Sequence, residues 1–561
     1  MAAAPLRLTA STPPVRPVGH PLLLAITIVI VLVVLAPILT IAGIASAGSG
    51  DAWPHLIENV LPRSVRTTLV LMALVGLLTA SMGTVSAWLV MAFDFPLRRI
   101  LAWALVLPLA IPTYLAAYAF GEFFNFTGPV QTAIRALFGF SSSRDYWFPE
   151  IRSTMGAAVV LSAVLYPYVY LTCRVVFIMQ GRNLADVART LGATPMRVFF
   201  RVLLPVARPA IAAGVALALM ETLNDIGAVE YLGVRTLTFA VYATWLNRGS
   251  IEGAAQIALV MLALVFALLV AEQWARRRQR YHQGRATELK SPPLRRKLSG
   301  WRAALAFLLT LMPVAFGFAI PLQVLGGYAL KRMDQFFEPA LLKALANSVL
   351  TASAAAVIAV AAVLVLLNAA RLSRTRLQSA LTRFSVLGYA LPGTILGFGL
   401  LYALAAIDRH IDALARALTG MSTGLVFSGT VMAVILACSI RFLALADGAI
   451  RSGLDKLPPN LDEAARSLGR TPAGSASSVL LPLLRPAIFT AAILVFVDTV
   501  KELSATIVLR PFGFNTLATH VYENASRGVV QDGAVAALLI IATALVPVIV
   551  LSRALMRDRA E

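Results

Sequence analysis

Leu461-Asp462-Glu463-Ala464-Ala465-Arg466-Ser467-Leu468-Gly469, followed by Val479 and Leu481-Pro482, repeats a pattern already present at Asp186-Val187-Ala188, Gly192, Val202 and Leu204-Pro205. The spacing from acid to glycine to Leu-Pro is the same in both copies, which lie 277 residues apart. Internal repetition decides architecture before any local reading does. Two polar, helix-prone loops of one design, set in a strongly apolar chain, point to a duplicated membrane protein that presents the same surface twice.

The rest of the chain agrees with that reading. Its 561 residues are 59% hydrophobic and 13% charged, with a mean hydropathy of +0.80, against about 45–50% apolar and about 25% charged in ordinary soluble domains. A hydrocarbon core of roughly 30 Å takes about 20 apolar residues per helix. Runs of that size give about twelve spans, six per half, and an all-α polytopic fold. The first set lies near 21–46, 66–92, 100–121, 154–178, 208–231 and 253–274. The second lies near 302–325, 345–369, 384–406, 422–446, 485–509 and 533–553. The first span is too long for the apolar core of a secretory signal and is read as retained.

These spans divide the chain into a first domain over 1–274, a basic linker over 275–301 and a second domain over 302–561, with the repeated loops at 182–208 and 459–485. Further echoes pair Ser64-Val65 and Thr67 with Ser348-Val349 and Thr351, and Leu107 and Ile111-Pro112-Thr113 with Leu387 and Leu391-Pro392-Gly393. An even number of spans per half gives the halves one orientation, hence a parallel repeat about an axis along the membrane normal.

A net charge of +21 is compatible with nucleic-acid binding, but the basic residues are distributed as topology requires. Arg276, Arg277, Arg278, Arg280, Arg285, Lys290, Arg295, Arg296 and Lys297 crowd the linker, and Arg371, Arg374, Arg376 and Arg383 a later alternate loop. The positive-inside rule makes these loops cytoplasmic, together with both termini and both repeated loops. No nucleic-acid partner follows; membrane lipid does. The linker, with Ser291-Pro292-Pro293, reads as a solvated tether without a core of its own.

Chemical motifs are few. None of Lys290, Lys297, Lys331, Lys343, Lys456 and Lys501 follows a glycine, so no phosphate-cradling loop is present. Cys173 and Cys438 fall in separate spans as small packing residues, and no metal-ligand spacing or cofactor fingerprint occurs. The chain is not expected to be an enzyme. What stands out instead is intramembrane charge: Glu221, Asp225 and Glu230 follow the first loop, and Asp498, Lys501 and Glu502 the second. The loop offset superposes Glu221 on Asp498 and Asp225 on Glu502, and each pair is four residues apart, on one helical face. A charge at bilayer depth costs roughly 2.5–3.5 kcal/mol, so such residues face a bundle interior or an aqueous path. Either they line a translocation path, or they form internal ion pairs such as Asp498 with Lys501 that fix the packing of the halves.

The loops resemble the signature of the membrane subunits of ATP-binding-cassette importers: Glu463, Ala464, Ala465, Gly469, Leu481 and Pro482 fit it, whereas the first copy has Asp186-Val187 ahead of Ala188, Gly192, Leu204 and Pro205. The resemblance is nearest to fused, two-domain ferric-iron permeases. It is carried by Gly128-Pro129-Val130-Gln131-Thr132, Tyr146-Trp147-Phe148-Pro149-Glu150-Ile151-Arg152 and Tyr166-Pro167-Tyr168-Val169-Tyr170, and by Lys501-Glu502-Leu503, Ala505-Thr506 and Leu509-Arg510-Pro511-Phe512. It implies a bacterial inner-membrane permease whose loops are coupling helices; from the residues themselves, Gly469 allows a tight exit from such a helix, and Pro205 and Pro482 are expected to stop the preceding segment before the next span. The resemblance also implies two copies of a separate ATPase subunit and a periplasmic or lipid-anchored binding protein that delivers the cargo. Permeases for thiamine, aminophosphonate and polyamine share this architecture. A proton-coupled secondary transporter using Asp225 or Glu502 shares the hydropathy profile but not the duplicated loop. A scaffold or sensor subunit leaves the matched acids without purpose.

Overall fold

A backbone in hydrocarbon must satisfy its N–H and C=O groups within its own segment, so the apolar runs become helices. The computed structural model describes residues 21–50, 52–178, 187–188, 190–277, 295–373, 375–455, 457–458 and 461–557. Among them 11 helices are long and apolar enough to cross a membrane, and a bent pair, Arg98–Ala110 with Thr113–Phe138, raises the number to 12.

Several expected spans are broken where hydropathy is continuous. The run near 100–121 turns by 99° between its two helices, because Pro112 cannot donate to the preceding turn and holds an extended backbone, with ψ 143°. Pro392 does the same ahead of Gly393–Thr419, with ψ 136°. The runs near 208–231 and 485–509 also stop early. Their helices end at Asn224 and Val500, and short helices Gly227–Tyr231 and Thr506–Leu509 follow. Asp225 and Glu502 sit in those breaks rather than on a continuing helical face. Each turns its carboxylate onto the next helix start: Ala228 N–H donates to Asp225 at 2.6 Å and Ala505 N–H to Glu502 at 2.8 Å. An acid beside a helix start satisfies donors that the helix itself cannot.

Pro205 and Pro482 do not stop the preceding segment either. The helical path runs on through π-turns at Phe199–Leu203 and Ala476–Leu480, directly followed by Leu204-Pro205 and Leu481-Pro482. The same device precedes Leu61-Pro62, after Leu56–Val60, and Ile320-Pro321, after Ala315–Ala319. The wider turn absorbs a proline that lacks an N–H and would otherwise clash with the carbonyl one turn earlier.

Backbone detail extends the duplication. Thr194 and Thr471 each cap the helix that starts one residue later, and the turn at Ile111-Pro112 recurs at Leu391-Pro392. Near the start of the repeat the register differs from the sequence echo. Leu237 N–H donates to Thr68 and Leu517 N–H to Ser348. Ser348 therefore corresponds to Thr68, one helical turn beyond Ser64, an easy slip where Ser and Thr recur every turn.

The two halves interlock. Helix Pro21–Ser46 lies on the second half: Gln378 donates to Thr27 at 2.7 Å in a buried contact, and Val34 joins a core with Leu366, Leu396 and Val434. In return, the segment Gly300–Lys331 packs on the first half, with Leu325 and Ala329 in one core with Tyr118 and Leu161. Gly317 marks the closest approach, since a Cβ there would stand 2.1 Å from the Ala163 carbonyl oxygen. Gly317→Val is therefore expected to destabilise the chain by about 1–3 kcal/mol. Gly327→Val, where a Cβ meets nothing within 4 Å, is the matched control on the same segment. Thermal unfolding of the two purified variants checks this; equal midpoints contradict the interlock.

The end of the linker is not a free tether. Arg296 and Lys297 pair in parallel with Phe93 and Asp94, Leu298 N–H donates to the Asp94 carbonyl at 2.9 Å, and Leu298 packs on the neighbouring core. Residues 278–294, with Arg278, Arg280, Arg285 and Lys290 of the basic run, lie outside the described residues.

Candidate functional site

Two places concentrate the sequence signals. The first is the pair of repeated loops. In the second copy, helix Leu461–Ser467 ends where Leu468 N–H bonds to Ala464 and Arg470 N–H to Ala465. In the first copy Leu191 bonds to Val187 and Ala193 to Ala188, position for position. Gly192 and Gly469 share a φ of +81°. This left-handed exit is open to glycine at little steric cost and lets the next N–H reach back to a helix-end carbonyl. The two loops are thus the same object in backbone as well as in sequence.

The exit throws one apolar side chain outward. Leu191 is 82% exposed and Leu468 84%. Ala464 is exposed too, but Ala465 is buried against its own chain and Ala188 partly so. The alanines of the loop are therefore only half available to a partner, and Leu468 and Leu191 offer the larger apolar contact. Leu204 and Pro205 are partly buried, while Leu481 and Pro482 are exposed. Asp186 and the side chain of Glu463 lie outside the described residues.

The second place is a cavity of about 120 Å³ between the halves. Glu221, Asp225, Asp498, Lys501 and Glu502 all line it, together with Thr113, Tyr114, Tyr168, Asn224, Tyr389 and Arg441. The helix breaks bring them there: Asp225 and Glu502 stand just past the ends of equivalent helices, and the Pro112 turn lines the same space, while the Pro392 turn lines a smaller adjoining pocket that shares Glu221, Asn224, Tyr389 and Arg441. Asn224 ties the halves at this level, accepting from Gly393 N–H at 2.6 Å through its side chain and from Ser504 at 2.9 Å through its carbonyl.

The charges are not equivalent between the copies. Arg441 Nη1 lies 2.7 Å from Glu502 Oε1, and both residues are nearly inaccessible, at 7% and 5% exposure. Glu502 also accepts from the N–H groups of Ala505 and Thr506 and from the Thr506 hydroxyl. Asp498 pairs with Lys501 at 2.6 Å, the ion pair expected as one alternative. In the first copy Asp225 accepts from the Thr113 hydroxyl and from Ala228 N–H, with Val229 N–H directed at it. Glu221 accepts from Tyr389 at 3.1 Å. These donors are all neutral. Four carboxylates against one guanidinium and one ammonium leave the cavity lining with a formal charge of −2.

Arg441 was missed in the sequence. Its signal was an arginine inside the run near 422–446, surrounded by Cys438, Ile440, Phe442 and Leu443, where an unpaired charge is not tolerated. Glu230, flagged beside Glu221 and Asp225, does not line the cavity; it accepts from Tyr522 of the other half at 2.7 Å. Tyr328 donates to Glu122 at 2.8 Å in another contact across the halves. Among the described residues no three His, Cys, Asp or Glu side chains converge as a resident metal cage.

Comparison with known proteins bears on both places. The model of the family described as "binding-protein-dependent transport system inner membrane component" matches residues 74–281 and again 367–559. An Fe(3+)-transport system permease protein of Haemophilus influenzae is 24% identical over 492 residues, covering 87% of this chain and 88% of its own length. The molybdenum transport system permease protein of Escherichia coli is 28% identical over 229 residues, 40% of this chain and 96% of that protein. The sulfate transport system permease protein of Salmonella typhimurium is 27% identical over 222 residues, 39% of this chain and 77% of that protein. The molybdenum and sulfate relatives thus match a stretch shorter than one half of this chain, whereas the match to the Haemophilus protein extends over both halves. With the family pattern present twice, on two interlocked helical halves, the chain belongs to the inner membrane components of binding-protein-dependent transport systems, as a fused two-domain permease.

Proposed function

We propose that this chain forms the translocation path of an ATP-driven importer for ferric iron. The supporting observation is the charge of the cavity between the halves. Its lining carries −2, and a multiply charged oxyanion entering it is repelled by about 2 kcal/mol for each like pair at 8 Å and an effective dielectric of 20. A cation is attracted by the same amount. Carboxylates and phenols are also the hard oxygen donors that suit a small, highly charged metal ion. This separates the ferric reading from the sulfate and molybdenum relatives, whose matches are shorter than one half of this chain.

Two copies of an ATPase subunit dock on the matched loops, one on the Leu191 loop and one on the Leu468 loop. ATP binding draws the loops together and turns the cavity toward the side where a periplasmic or lipid-anchored binding protein delivers the cargo; hydrolysis resets it. Interlocked halves that rock as bodies about a shared path suit this cycle. Both termini, the linker and the loops are cytoplasmic, with Arg371, Arg376 and Arg383 on the same side, in a bacterial inner membrane. Residues 1–274 and 302–561 act as the two permease domains, joined by 275–301.

The test is cargo accumulation in cells with and without the chain. Loss of ⁵⁵Fe(III) uptake on its deletion, with sulfate and molybdate uptake unchanged, is the expected result. Loss of an oxyanion instead keeps the permease and discards iron. Competition by thiamine, a polyamine or an aminophosphonate assigns the path to that compound.

A further inference from the structure

The duplicated acids have diverged in what they can still bind. A carboxylate offers about four lone-pair positions. Glu502 has all of them engaged, by Arg441, two backbone N–H groups and the Thr506 hydroxyl. Asp498 is neutralised by Lys501. Its counterpart Glu221 accepts, among the described residues, from one neutral donor, Tyr389, and shares the field of Arg441 with Glu502 without an ion-pair contact. Asp225, the counterpart of Glu502, has the Thr113 hydroxyl and backbone N–H groups but, among the described residues, no basic side chain against it. Glu221, one helical turn before Asp225 on the same wall of the cavity, also repels the Asp225 charge. Two carboxylates that repel one another in a largely buried site are costly unless a cation joins them.

An independent observation points the same way. Tyr114 lines the cavity and is 4% exposed, yet its hydroxyl has no hydrogen-bond partner among the described residues. It lies within electrostatic reach of both Asp225 and Glu502. Buried tyrosine hydroxyls normally find a partner. A cavity of about 120 Å³ exceeds several-fold the roughly 10–15 Å³ that one water needs, so a partly hydrated ion fits.

We propose that the cavity holds its cargo as a trivalent, oxygen-seeking cation through Glu221, Asp225 and Tyr114 of the first half, whereas Asp498 and Glu502 of the second half serve as structural ion-pair members. The inference rests on the ferric reading and assigns the contacts within it. Two carboxylates and one phenol make a weak site, as a path requires: the cargo enters from the binding protein and leaves without being trapped.

The test uses the full chain in lipid nanodiscs with Tb³⁺ as probe, a trivalent oxygen-seeking ion whose luminescence is sensitised by nearby tyrosines such as Tyr114 and Tyr389. Glu221→Gln and Asp225→Asn are each expected to weaken Tb³⁺ binding about tenfold or more, a loss of the size metal sites show on ligand-shell changes. Asp498→Asn is expected to weaken it less than about threefold and instead to lower the unfolding temperature. Tyr114→Phe, which keeps the ring, is expected to reduce the sensitised signal and the affinity together. Equal losses from Asp498→Asn and Glu221→Gln indicate a general field rather than ligation and overturn the assignment, as does absence of Tb³⁺ binding to the wild-type chain. Uptake of ⁵⁵Fe separates the two levels. Iron uptake that persists in Glu221→Gln and Asp225→Asn sinks the ligand assignment alone. Wild-type cells that import another cargo and not iron sink the ferric reading.

Discussion

Arg441→Met is expected to destabilise the chain by about 3–5 kcal/mol, the cost of leaving one member of a buried pair without its counter-charge. The substitution keeps most of the side-chain volume and removes the charge and the N–H donor that face Glu502 at 2.7 Å. Glu502 keeps its three neutral donors, but these are backbone and hydroxyl groups that orient a negative charge without cancelling it. The double variant Arg441→Met, Glu502→Gln is expected to recover much of the loss, since replacing both charges removes the desolvation penalty along with the attraction. Denaturant or thermal unfolding of the purified variants gives the cycle. A single-variant loss below about 1 kcal/mol shows that water or another group compensates Glu502, and the pair is then not structural.

The second large effect is at the surface. Leu468→Arg and Leu191→Arg each put a solvated charge where the loop offers its largest exposed apolar side chain. If these leucines are the centres of the two ATPase contacts, each change costs about 2 kcal/mol or more of docking, roughly 30-fold in Kd. The double variant, with both docking sites impaired, is expected to lose the ATPase on purification. Both positions are exposed in the chain alone, so its own stability is expected to stay within about 0.5 kcal/mol. Co-purification and binding measurements with the ATPase partner check this. Full retention of the partner by the double variant moves the contact elsewhere. Gly469→Val attacks the same surface through the backbone, because a β-branched residue at φ +81° is strained and unwinds the exit that aims Leu468.

Much of this molecule is written in its sequence, for identifiable reasons. The duplicated loop is legible because the spacing from Ala464 to Pro482 is unchanged from the first copy, and the π-turns and caps that need this spacing are unchanged with it. Helix existence is legible because a membrane leaves few alternatives. Helix interruption is not: Asn224-Asp225 and Val500-Lys501 sit in runs whose hydropathy continues, and only the later N–H groups of Ala228 and Ala505 reveal that the acids cap a new start. The acids themselves were legible as buried charge, but their neutralisation was not. Arg441 is 61 residues from Glu502 along the chain, and nothing local links them. The exchange of Pro21–Ser46 and Gly300–Lys331 between halves is likewise a matter of tertiary packing, carried by contacts such as Gly317 with Ala163 that no periodicity announces.

The central claim, that this chain is the path of an ATP-driven ferric importer, is tested most directly by reconstitution. The purified chain is placed in proteoliposomes with its ATPase subunit and binding protein, and ⁵⁵Fe(III) entry is followed with and without ATP, in the presence of excess sulfate, molybdate, thiamine, aminophosphonate or polyamine. The account predicts entry that requires ATP and both partners and is insensitive to every competitor. Entry driven by a proton gradient without ATP, or ATP-dependent entry of a competitor with iron excluded, would contradict it.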